Sequence, residues 1–196
     1  MGATGLTLST ILVVAIPAIV AITFHEAAHG WVAWKLGDPT AHQLGRVTFN
    51  PIRHIDLVGT ILVPGLFLLW WQGGGPRLLF GWAKPVPIDP SKLRSSRRDM
   101  TLVAASGPGI NFGLALVSGL LLSVASALGA GDGFLARLLS ASVYLNALIG
   151  VFNMIPLPPL DGGRVAVGLL PESIAYRLVR VEDYGLYLLV AVLFLL

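Results

Sequence analysis

From Leu6 to Phe24 the chain carries no charged side chain, and it then places His25-Glu26-Ala27-Ala28-His29 in the continuation of the same apolar run. A bilayer needs about 20 apolar residues to be crossed by a helix, so this stretch reads as a membrane helix with a polar motif in its second half. An α-helix turns once per about 3.6 residues. His25 and His29 therefore share a face and can both direct a ring nitrogen at one zinc ion, with Glu26 close enough to act on a water beside it. In soluble proteins the H-E-x-x-H pattern marks metalloproteases. Here the insertion of two His and a Glu costs several kcal/mol in an apolar helix, so a bland packing role is hard to sustain.

The rest of the composition agrees with a membrane protein. The chain is 55% hydrophobic and 12% charged, whereas soluble domains run near a quarter charged. A net charge of +3 does not point to nucleic acid, because basic residues beside membrane segments usually set topology. The absence of Cys excludes disulfides, a thiol nucleophile and thiolate-bound metal, so zinc must be held by His and carboxylate oxygen. Met1 to Gly5 lacks the basic region of a cleaved signal, and the segment from Leu6 reads as a retained helix.

Along the chain, Leu6 to about Leu36 forms the first helix, ended by Gly37-Asp38-Pro39. Thr40 to Pro51 alternates polar and apolar residues and reads as a strand. Leu57 to Trp71 is apolar but short, with Pro64-Gly65 in its middle. Gln72 to Arg98 is a basic loop rich in Gly and Pro, whose Trp82 and Lys84 suit an interface anchor, as do Trp70 and Trp71. Thr101–Gly129 and Phe134–Ile155 are two further helices, the last broken by Pro156-Leu157-Pro158-Pro159. A C-terminal helical segment follows at 171–196. The expected architecture is an all-α polytopic membrane protein forming one domain over 1–196, with its core at about 6–165. It has about four transmembrane helices, one re-entrant segment and a short β-strand or hairpin near the active site.

A zinc hydrolase needs a third protein ligand. His42, His54, Asp56, Asp89, Asp99, Asp161 and the acidic residues after it are the candidates. Asp161 is best placed, because it follows a proline-broken helix end and precedes Gly162-Gly163, which permit close approach. His54 and Asp56 are the rivals, with a turn as their alternative role. Parity supports Asp161: two crossings, Thr101–Gly129 and Phe134–Ile155, return the chain to the side of the histidines if Leu57–Trp71 is re-entrant. Nine Lys or Arg lie from Lys35 to Arg98 and three after Asp161, against Arg137 alone on the opposite side. By the positive-inside rule the metal side is cytoplasmic.

Taken together, His25 to His29 and Asn153-Met154-Ile155-Pro156-Leu157-Pro158-Pro159-Leu160-Asp161-Gly162 resemble the two signatures of the site-2 protease family of intramembrane zinc metalloproteases, H-E-x-x-H and N-x-x-P-x-x-x-x-D-G. Gly45 to Pro51, His54-Ile55-Asp56, Gly81 to Pro87, and Gly107-Pro108 with Asn111 are similar to its bacterial branch. Roughly residues 20 to 165 share the resemblance, and Leu57 departs from it where Pro is usual. The resemblance implies one Zn2+ on His25, His29 and Asp161, Glu26 as catalytic base, and a bacterial inner membrane as location. No PDZ or CBS domain is visible.

The chemistry that follows is hydrolysis of peptide bonds in or next to the transmembrane helix of a single-pass membrane protein, with Glu26 taking and returning the proton. Asn146 and Asn153, seven apart, share a helix face and could line the site or bond between helices. Asn111, beside Gly107-Pro108, reads as helix packing. Arg46, Val47, Thr48, Phe49 and Asn50 could offer a strand edge to an unwound substrate, or form an ordinary capped hairpin. The alternative from another class is a metal transporter using the same ligands. The expected partners are the bilayer and the substrate helix. Nothing in the residues fixes the oligomeric state.

Overall fold

A computed structural model describes residues 7–74, 81–180 and 185. Three of its helices are long and apolar enough to cross a membrane: α1 (Leu8–Lys35), α4 (Ser96–Ala127) and α5 (Phe134–Asn153). Between α1 and α4 lie the four-residue α2 (Thr40–Gln43), a π-helical turn (Leu57–Leu62) and α3 (Val63–Gln72), which continues from it. The short α6 (Asp161–Leu169) follows α5. A further helix begins at 172–180, and the rest of the expected C-terminal span lies outside the described residues.

The bundle is organised by stripes with a spacing of four. On α1, Pro17, Ala21, His25, His29 and Ala33 are all buried. On α4 the matching stripe is Asp99, Val103, Gly107 and Asn111. Residues four apart lie on one helix face, and small residues there let two backbones approach in a bilayer. The helices run antiparallel, since His29 meets Val103 while Ala21 meets Asn111. Helix α5 joins through Ser142, Asn146 and Gly150; a Cβ on Gly150 would come within 2.9 Å of the Phe112 ring. Only 22%, 11% and 17% of the apolar spans of α1, α4 and α5 are buried, so most of their Leu, Ile and Val surface needs lipid around it.

Leu57–Trp70 is shorter than these spans. At 1.5 Å per residue it reaches about 21 Å, below the roughly 30 Å of a hydrocarbon core. The expected strand at Thr40–Pro51 is a correction, for no strand occurs among the described residues. Thr40–Gln43 is helical and ends in a Schellman motif: the Gly45 amide donates to His42 O and the Arg46 amide to Ala41 O, with Gly45 at φ +65°. That left-handed glycine turns the chain out of any ladder. Beyond it, Asn50 Oδ1 caps the 3-10 turn Pro51–Arg53.

Residues 81–89 form an irregular strap across this region. The Trp82 amide donates to Gly59 O and the Lys84 amide to His54 O. Arg46 Nη2 donates to Lys84 O at 2.7 Å and Pro85 O at 3.3 Å. The Asp89 amide donates to Asp38 Oδ2 at 2.6 Å. Burial pushes the Asp38 carboxyl up, and hydrogen bonds from Thr40 and the Asp89 amide outweigh it, leaving the group below the ordinary carboxylate value.

Candidate metal centre

His25 sits about 15 Å and His29 about 9 Å along the axis from Lys35, at 1.5 Å per residue. Each ring is held at Nδ1. Asn111 Nδ2 donates to Ala21 O and to Asn146 Oδ1. A backbone carbonyl can only accept, so the Asn111 amide orientation is fixed and its Oδ1 faces His25 Nδ1 at 2.6 Å. His25 Nδ1 is therefore the donor. His29 Nδ1 donates to Val103 O at 2.7 Å by the same logic. In a neutral imidazole with Nδ1 protonated, Nε2 carries a bare lone pair.

These two Nε2 atoms lie 3.0 Å apart. Asp161 Oδ2 lies 3.0 Å from His25 Nε2 and 3.3 Å from His29 Nε2. That oxygen is buried and takes no hydrogen bond. With both Nδ1 atoms engaged outward, the two Nε2 atoms and Asp161 Oδ2 converge on one point, an arrangement that a cation in their midst would satisfy. His25, His29 and Asp161 are the three-ligand group that could hold a metal ion among the described residues. Two imidazoles and one carboxylate suit zinc and leave a fourth position open. The site's floor is Gly107, where a Cβ would come within 2.5 Å of His29 Nε2 and 2.6 Å of His25 Nε2.

Asp161 reaches this point because the chain turns sharply after α5. Leu160 ends the proline-rich turn and Asp161 opens α6. A Cβ on Gly162 would lie 2.3 Å from Met154 O, and one on Gly163 would lie 2.3 Å from Pro158 N. Both positions need glycine for α6 to pack against the turn it leaves.

Glu26 is partly exposed and faces the strap. Its Oε2 accepts from the Val86 amide at 2.9 Å. Val86 also packs at Gly30, where a Cβ would come within 3.2 Å of its side chain. Glu26 is thus anchored at one oxygen by a backbone donor, apart from the three converging acceptors.

The other expected positions are distributed around this core. Asn146 accepts from Asn111 and donates to Ser142 O, which ties α4 to α5 and extends the hydrogen-bond chain from His25. Asn153 Nδ2 donates to Ile149 O within α5. Arg46 is buried against the strap, Val47 packs at Gly30, and Thr48 O accepts from His54 Nε2 at 2.9 Å. Phe49 stacks on Phe24, with centroids 4.4 Å apart. Asp56 caps the π-helical turn by accepting from Val58 and Gly59 amides. His54 and Asp56 therefore stand in turn structure, outside the His25–His29–Asp161 group. Sequence alone singles out neither Gly107 as a floor nor Val86 as a partner. Gly107 had two signals, the Gly107-Pro108 stretch similar to the bacterial branch and its place four residues from both Val103 and Asn111. Val86 stood only within the Gly81 to Pro87 stretch, with nothing to mark its own contact, because it acts through its backbone.

A family model described as Peptidase family M50 matches residues 125–196. The Bacillus subtilis (strain 168) protein named "Putative zinc metalloprotease YwhC" is 38% identical over 175 residues, which cover 87% of this chain and 74% of that protein. The chain belongs to peptidase family M50. Proteins named "Putative zinc metalloprotease Rip2" are also similar. That of Mycobacterium tuberculosis (strain H37Rv) is 32% identical over 149 residues, 74% of this chain and 52% of Rip2. That of Mycolicibacterium smegmatis is 26% identical over 188 residues, 89% of this chain and 64% of that protein. This chain spans about half to two thirds of the Rip2 proteins' length. No solved structure matches it. As an M50 peptidase with three long apolar helices, it is a membrane-embedded zinc metalloendopeptidase. The M50 model begins near the end of α4, beyond the α1 motif.

Proposed function

We propose that this M50 chain is an intramembrane endopeptidase in which His25, His29 and Asp161 hold one Zn2+ and Glu26 is the general base. The observation that carries the reading is the convergence of three metal-ligating atoms, His25 Nε2, His29 Nε2 and Asp161 Oδ2, inside a membrane-length bundle. Zinc there supplies the Lewis acidity that makes water nucleophilic near neutral pH. Asn111 and the Val103 carbonyl keep both imidazoles turned with Nε2 inward. Glu26, anchored by the Val86 amide at Oε2, takes the proton from the attacking water and returns it to the leaving amine. The substrates are single-pass membrane proteins cut in or next to their helix, with release of a cytoplasmic regulator.

Glu26→Gln separates chemistry from metal binding. The variant should keep its zinc while cleavage of a membrane reporter falls by at least about 10²-fold, the lower range for losing a general base. Undiminished cleavage would remove Glu26 from the mechanism, and lost zinc would make it a structural residue. The active site faces the cytoplasm of a bacterial inner membrane, by the excess of basic residues from Lys35 to Arg98. Single Cys variants at Arg46 and Arg97, in a chain free of native Cys, should label from the same side. Labelling from opposite sides overturns this topology.

A further inference from the structure

Beside the strap lies a cavity of about 830 Å³ whose wall carries Arg46, Arg53 and Lys84, with no carboxylate among the described residues that line it. We propose that this cavity is a substrate subsite that receives an acidic side chain, Asp or Glu, within about two to four residues of the scissile bond. The proposal rests on the proteolytic reading above and adds a specificity to it.

Three observations carry it. The first is charge. None of the three cations forms an ion pair with a described residue, whereas on the same loops Lys92 pairs with Asp89 at 3.3 Å. Arg46 is buried and fixed by the Lys84 and Pro85 carbonyls, and its Nε has no hydrogen-bond partner. Neutral carbonyls leave its charge uncompensated, and neighbouring like charges repel unless an anion enters. The second is position. Lys84 stands two residues before Val86, whose amide holds Glu26. Two extended residues span about 7 Å, so a peptide lying across the base brings a side chain a few residues away to this wall. The third is the rim. Leu44, Ile52 and Ile55 border the cavity and are exposed, Ile52 at 74%, which suits an acidic residue flanked by apolar ones from a membrane helix. A lipid phosphate would answer the same charge, and the closeness of this wall to the Glu26 anchor favours the peptide.

The test uses the full chain with zinc in phosphatidylcholine vesicles, and single-pass reporter helices carrying Asp, Asn or Lys in turn at each of the four positions on either side of the cut bond. At one register Asp should be cleaved roughly tenfold faster than Lys, with Asn between them. Arg53 and Lys84 are both exposed, so the double variant Arg53→Glu, Lys84→Glu should fold and retain zinc, and its preference should invert towards Lys at the same register. Equal cleavage of all three reporters at every position overturns the subsite while leaving proteolysis standing. So does a rate that follows added phosphatidylglycerol regardless of reporter charge, which would make the cavity a lipid site. Zinc-loaded enzyme that cuts no reporter refutes the proteolytic reading, and the subsite with it.

Discussion

On the bundle side of α1, His25 and His29 meet side chains and one carbonyl delivered by regular helices, in a register repeated every four residues along α4. Round the same helix, Glu26 meets a strap without regular secondary structure, held by an arginine and by scattered amides. The first surroundings are fixed by the packing of three helices, and moving one partner disturbs all of them. The second is a chain of single contacts, each replaceable and each affecting the next. On the proposed reading, metal holding falls to the rigid side, and proton transfer with substrate contact to the adaptable one.

The comparison breaks most readily at Asp161. Purified Asp161→Ala should be folded but zinc-poor and inactive, while His54→Ala and Asp56→Ala keep one zinc per chain, as metal analysis will measure. Full zinc in Asp161→Ala, with loss in His54→Ala, would move the third ligand to the strap side and undo the division. A smaller effect is expected at Asn111→Leu. Losing the group that orients a ligating His costs about 10- to 100-fold in metal affinity, readable by competition with a chelator. Unchanged affinity with only a lower melting temperature would return Asn111 to plain helix packing. The smallest effect belongs to the strap. Val86→Pro removes the amide that anchors Glu26; kcat should fall roughly tenfold with zinc affinity unchanged, as misplacement of one group does. A shift in zinc affinity there would show that the two sides are not separable.

The same division explains what was legible beforehand. The proposed site residues His25, Glu26, His29 and Asp161 could be picked out because the chemistry proposed for them calls for those side chains, and because crossings can be counted from apolar runs. Asn111 was seen but read as packing, since its contact to His25 joins residues 86 apart in sequence and depends on a register no local pattern states. The Val86 contact could not be told from its residue type, even within the Gly81 to Pro87 stretch, as every residue but proline owns an amide. The alternation in Thr40–Pro51 misled for a local reason: Gly45 in the left-handed region closes a helix there, and a single such residue outweighs a weak period of two. The short span of Leu57–Trp70 was foreseeable from its length, whereas its opening π-helical turn was not.

The separation of the histidines from Asp161 along the chain also sets a clock. A ribosome adds about 5–20 residues per second, so α1 with its two histidines precedes Asp161 by on the order of ten seconds. During that interval, on the proposed ligand set, the nascent protein carries two of the three metal ligands and lacks the carboxylate. Competence arises only once α4 and α5 have been threaded and the turn after α5 has swung back. Hydrolytic power is thereby withheld from a newborn chain until its own topology is complete.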